Sequence, residues 1–145
     1  MSAFQSPQQR LVLTLLHAAS QMSSCHRAIL KPHGVSPEQF NILRILKGAK
    51  GEAMSLANIA SRMIDKNSNA SRLIDKLLAK GLVNRIVCPK DRRRTEISLS
   101  EEGNRTIETL SLLMQQELDD LGNVWSDKNA NVASDILDLW NELQP

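Results

Sequence analysis

The chain has 145 residues, 41% of them apolar and 3% aromatic, and a formal net charge of +2. That length fits one domain, alone or with helical extensions, and allows roughly 70% of the unfolded surface to be buried. No run approaches the ~18 apolar residues of a membrane span, and residues 1–5 are not a basic leader before an apolar stretch, so the expected setting is cytoplasmic with no membrane partner.

Ser6-Pro7-Gln8-Gln9 reads as a helix start: a hydroxyl cap, proline at the first helical position and glutamine at the third. Leu11, Leu15, Ala18, Met22, Cys25 and Ile29 then follow in steps of four and three, which predicts one long apolar seam, widened by Val12, Leu16 and Ala19. The seam places Cys25 among buried neighbours, and the helix should stop before Pro32 and Gly34. Ser36-Pro37-Glu38-Gln39 repeats the start signal and opens a second helix through Phe40, Leu43 and Leu46, which ends near Gly48.

Ser55 is placed to cap a third helix whose apolar face holds Leu56, Ile59, Ala60 and Met63. A turn of three or four residues at Ile64-Asp65-Lys66 would lead into a fourth helix, with Asp65 as its cap and its start at Lys66 or Asn67. Ala70, Leu73, Ile74, Leu77 and Leu78 form its apolar face, and Lys80 and Gly81 close it. Residues 83–88 and 95–99 read as two strands of a hairpin. Ser100-Glu101-Glu102 opens a fifth helix through Ile107, Leu110, Met114 and Leu118 to Gly122, and a sixth follows Ser126 with Val132, Ile136, Trp140 and Leu143.

The small net charge hides an uneven distribution. Residues 62–105 hold 11 Lys and Arg against 6 Asp and Glu, whereas residues 106–145 hold one Lys against 8 acids. Such a split implies two surfaces with different partners. The basic part peaks at the hairpin tip, Pro89-Lys90-Asp91-Arg92-Arg93-Arg94, and the preceding helix is expected to show Asn67, Ser68, Asn69, Ser71 and Arg72 to solvent. Arginine suits the electronegative minor groove of duplex DNA, and short polar side chains reach base edges in the major groove. Asp75 is expected to be an ion-pair partner on the helix surface or at the hairpin base, because a carboxylate near phosphates would oppose binding.

The stretch from Leu56 to Gly103 resembles the MarR family of winged helix-turn-helix regulators. The residues that carry the likeness are Arg72-Leu73-Ile74-Asp75-Lys76-Leu77, Lys80-Gly81-Leu82-Val83, Asp91-Arg92-Arg93-Arg94 and Ile97-Ser98-Leu99-Ser100-Glu101-Glu102-Gly103. Phe40-Asn41-Ile42-Leu43 resembles the family's second helix. The fold class so implied is mainly α with a small β-hairpin wing. A winged helix-turn-helix domain over 35–100 would lie between dimerisation helices at 1–34 and 101–145.

The resemblance further implies a homodimer on a pseudo-palindromic double-stranded operator, most often as a repressor, released by a small aromatic or anionic effector. Arg93 would enter the minor groove, braced by Asp91, with Arg92 and Arg94 near phosphates. Asn67, Ser68, Ser71 and Arg72 would face bases and backbone, with Asn69 and Lys76 beside them. Where family members carry a small residue in the turn, this chain has Ile64-Asp65-Lys66.

Other chemistry has little support. His17, His26 and His33 lack the i, i+4 spacing of ligand pairs, so neither metal nor cofactor is expected. Cys25 and Cys88 have no CxxC spacing, which points to a reducing compartment. A glycine-rich phosphate loop and a GxSxG motif are both missing, so no enzyme is expected. The alternatives are a winged-helix protein-interaction module, which would not need so basic a tip, and a cysteine redox sensor of the same fold.

Overall fold

The computed structural model describes residues 6–87, 95–120 and 126–143. Its elements run α1 (Pro7–Leu30), a 3-10 turn (Lys31–His33), α2 (Pro37–Gly48), β1 (Met54–Ser55), α3 (Leu56–Arg62), α4 (Ala70–Ala79), β2 (Val83–Val87), β3 (Thr95–Leu99), α5 (Glu101–Asp120) and α6 (Asp127–Glu142). The chain divides into two units, residues 1–111 and residues 112–145.

Helix starts follow their local chemistry. The Ser6 hydroxyl accepts from the Gln9 N–H at 3.1 Å, with Pro7 in the first turn. Ser36 and Gln39 form a reciprocal capping box at 3.2 and 3.1 Å. The Ser55 hydroxyl accepts from the Asn58 N–H at 3.2 Å, and the Ser126 hydroxyl from the Asn129 N–H at 3.4 Å. The caps at Ser6, Ser36 and Ser55 were expected from their own few residues, as was a helix following Ser126.

The first unit closes around Leu30, Ile42, Leu43, Leu46, Ile59, Ile74, Leu77, Ile107 and Leu110, all fully buried. Each such side chain contributes roughly 1.5–3 kcal/mol by leaving water. The sheet has the order β1-β3-β2 and is antiparallel throughout. Val83 lies opposite Leu99 and Arg85 opposite Ile97. The hairpin is therefore as expected, but β1 is an addition. Met54 and Ser55 pair with Ile97 and Glu96, and two residues are too short to show an alternation of their own.

Two further expectations are corrected. Seven residues, 63–69, connect α3 to α4 where a turn of three or four was expected, and α4 starts at Ala70 where Lys66 or Asn67 was expected. Cys25 is exposed, and so are Leu11, Val12, Leu15, Leu16 and Met22 of the α1 seam. The spacing of apolar residues marks a face, but it does not say what covers that face. Leu56 is likewise 41% exposed at the start of α3.

The end of α4 is fastened to the start of α5. The Leu82 N–H donates to the Leu77 carbonyl at 3.0 Å and the Gly81 N–H to the Leu78 carbonyl at 2.9 Å, a Schellman closure with Gly81 at φ +68. The Ser100 N–H then donates to the Leu82 carbonyl at 3.1 Å, while its hydroxyl donates to the Gly81 carbonyl at 2.6 Å. That same hydroxyl accepts from the Gly103 N–H at 2.9 Å. This gives Ser100-Glu101-Glu102-Gly103 its physical content, because a Cβ on Gly103 would run into the Leu82 carbonyl oxygen. Gly103→Ala is expected to lower unfolding stability by about 1–3 kcal/mol, as overpacking does, read from the guanidinium midpoint at fixed protein concentration. An unchanged midpoint would contradict the close approach.

Candidate nucleic-acid interface

Helix α4 is split lengthwise. Ala70, Ile74 and Leu77 are buried, while Ser71, Arg72, Asp75, Lys76 and Ala79 are exposed, with Arg72 on the side opposite the buried three. Burial of one stripe fixes which stripe reaches solvent.

The turn before α4 explains its late start. The Asp65 carboxylate accepts from the Asn67 N–H at 2.9 Å and from the Ser68 hydroxyl at 2.8 Å. The Asp65 carbonyl accepts from the Ser68 N–H at 3.3 Å. Asp65 therefore holds a turn, as Asp side chains do, in place of capping the helix. The cap is Asn69, whose side-chain oxygen accepts from the Arg72 N–H at 3.0 Å. Asn67, Ser68 and Asn69 were expected on the helix and instead precede it. The Ser68 hydroxyl donates its hydrogen bond to Asp65 and Asn69 commits its oxygen to the cap, whereas Asn67 is exposed.

A buried residue holds this turn from below. The Asn41 side chain, 8% exposed in α2, accepts from the Ile64 N–H at 2.9 Å. Its position inside Phe40-Asn41-Ile42-Leu43 gave the only available signal, a polar residue within an apolar run. The Lys66 ammonium donates to the Ser61 carbonyl, closing the other side of the turn.

Asp75 is paired as expected at the hairpin base, with the Arg85 guanidinium of β2 at 2.9 Å. Both side chains are about half exposed, at 60% and 47%, so the pair contributes little to stability, about 0.2–1 kcal/mol. Its larger effect is to neutralise the one carboxylate on the exposed stripe of α4. Arg85 was not singled out by sequence reasoning. The tip that carries Asp91, Arg92, Arg93 and Arg94, with Cys88 before it, lies outside the described residues. Among the described residues, no group of three or more His, Cys, Asp or Glu side chains is placed to hold a metal ion, and no helix is long and apolar enough to cross a membrane.

The sequence model of the MarR family matches residues 35–95. The HTH-type transcriptional regulator YsmB of Bacillus subtilis is 28% identical over 132 residues, covering 90% of this chain and 89% of that protein. The homoprotocatechuate degradative operon repressor of Escherichia coli is 31% identical over 93 residues, 64% of this chain and 62% of the repressor. A crystal structure of a MarR transcription factor from Planctomyces limnophilus superposes with a TM-score of 0.69 at 28% identity, covering 94% of this chain and 98% of that one. The transcriptional regulator BldR from Sulfolobus solfataricus shares the fold, with a TM-score of 0.75 at 22% identity over 95% of this chain and 99% of its own.

The Asn41 arrangement makes a simple prediction. Asn41→Ala removes the acceptor of the Ile64 N–H and is expected to cost about 0.5–1.5 kcal/mol of stability in chemical denaturation. A wild-type midpoint would show that the bond does not hold the turn.

Proposed function

We propose that the chain, whose residues 35–95 match the model of the MarR family, is a sequence-specific regulator of transcription of that family and binds double-stranded DNA as a homodimer. The observation that carries the reading is the division of α4, with Arg72, Ser71 and Lys76 presented opposite a stripe buried in the core. In this reading α4 lies in the major groove. Arg72 and Asn67 address base edges, while Ser71, Lys76, Ser68 and Asn69 serve base or backbone contacts and hold the helix start. Arg93 enters the adjacent minor groove with Asp91 bracing it, and Arg92 and Arg94 stand at phosphates.

Pairing follows from what a single chain leaves uncovered. On α1, Leu11, Val12, Leu15 and Leu16 are exposed. In the second unit, Val132, Ile136, Trp140 and Leu143 are exposed along and just past α6. Apolar patches of this extent mark an interaction surface, and an isologous dimer is the commonest way to cover one. Residues 1–34 and 101–145 then supply the pairing helices, and residues 35–100 the DNA-binding domain. Two α4 helices spaced by one helical turn, about 34 Å, engage two half-sites of a pseudo-palindromic operator.

Occupancy of such an operator represses transcription. A small aromatic or anionic effector releases the protein by binding one spacing of the two α4 helices more tightly than the other, since a ligand shifts an equilibrium only by its differential affinity.

Arg93→Ala tests the reading. It is expected to weaken duplex binding by about 1–3 kcal/mol, chiefly at A·T-rich minor-groove positions, with the denaturation midpoint unchanged. Wild-type affinity in that variant would remove the wing from the interface.

A further inference from the structure

Beside α4, on the flank away from the Asp75–Arg85 pair, an open cleft of about 640 Å³ lies between the end of α1, the start of α2 and α4. Four cations line it, Arg27, Lys31, Lys76 and Lys80, against one carboxylate, Glu38. They come from segments some fifty residues apart in the chain, so the concentration of charge is made by the fold and not by a local run.

The partners of these groups sort them. The Lys80 ammonium is spent on the fold, donating to the Gly34 carbonyl and to the Gln39 side-chain oxygen, the latter at 2.9 Å. Glu38 accepts from the Ser36 hydroxyl at 2.7 Å. The Arg27 guanidinium makes one long contact, 3.4 Å to the Ser23 hydroxyl. Among the described residues, neither the Lys31 nor the Lys76 side chain forms a hydrogen bond or ion pair. Favourable charge at the C-terminal end of α1 accounts for Arg27 and Lys31 one at a time. It does not account for their meeting Lys76, which comes from a different helix.

The geometry points to this cleft as a backbone-phosphate site of the DNA duplex, gripping the strand on the side of α4 opposite the wing through Arg27 and Lys31 together with Lys76. Lys76 makes the connection, because it stands one turn after Arg72 on the exposed stripe and also lines the cleft. A major groove is about 12 Å wide and bounded by a phosphate strand on either side. With α4 in the groove, one strand meets the hairpin flank and the other meets the cleft. This inference rests on the proposed DNA-binding reading and extends the footprint to two residues that the sequence did not single out.

The experiment is a salt titration of binding to a short random-sequence duplex, with wild type, Arg27→Gln/Lys31→Gln and the charge-preserving Arg27→Lys/Lys31→Arg. Each phosphate contact contributes about 0.9 to the slope of log affinity against log salt. The glutamine pair is expected to flatten the slope by about two units while its melting transition stays cooperative, and the charge-preserving pair is expected to keep the wild-type slope. A wild-type slope in the glutamine pair overturns the cleft assignment alone. A wild-type chain that binds no duplex at any salt overturns the DNA reading itself. If the glutamine pair keeps the slope but loses a thermal stabilisation that inorganic phosphate gives the wild type, the cleft holds a free anion, and its assignment to the duplex, though not the DNA reading of the protein, is overturned.

Discussion

The structure depends on the burial of one stripe of α4. Ala70, Ile74 and Leu77 are set into the core with Ile42, Leu43, Leu46 and Ile59, and this fixes the rotation of the helix about its axis. Everything presented to solvent follows from that rotation. Arg72 faces outward because its neighbours two positions away on either side are buried. The supports at either end serve the same helix. Asp65, Asn41 and Asn69 set where it begins, and the Gly81 closure with Lys80 sets where it ends. A helix held at both ends and along one side keeps its backbone in place, so little backbone entropy is lost when its exposed side chains are ordered against a ligand.

Electrostatics then separates the two flanks of that helix. Toward the hairpin, Arg85 cancels Asp75. Toward α1, Lys76 joins Arg27 and Lys31 around a cleft with a single carboxylate. The net charge of the chain conceals this arrangement, since the acids are concentrated in residues 106–145. Position, not total charge, distinguishes a surface suited to a polyanion from an ordinary solvated one.

Much of this was legible in the sequence, for local reasons. Ser6, Ser36, Ser55 and Ser126 announce their helices because a cap needs only its own residue and the N–H three positions on. The hairpin was legible because Val83 and Ile97 sit in strands long enough to show themselves, and Asp75 because an exposed carboxylate in a basic region calls for a partner. What stayed hidden was non-local. β1 exists only through its pairing with Ile97 and Glu96. The start of α4 was misplaced because Asp65, expected as its cap, spends its oxygens on Asn67 and Ser68, and Asn69, expected on the helix, caps it instead. Asn41 could not be told from a surface polar residue until α2 was packed beneath the turn. For Cys25 the helix was right and its burial was not, because the cover for an apolar seam is not written in the seam.

The most direct measurement is selection of bound duplexes from a random library with wild type and with Arg72→Ala. The account predicts that wild type enriches two related half-sites about one helical turn apart, and that the variant loses base preference within each half-site while still binding duplex. Recovery of the same motif with the variant, or of no motif with wild type, would contradict it.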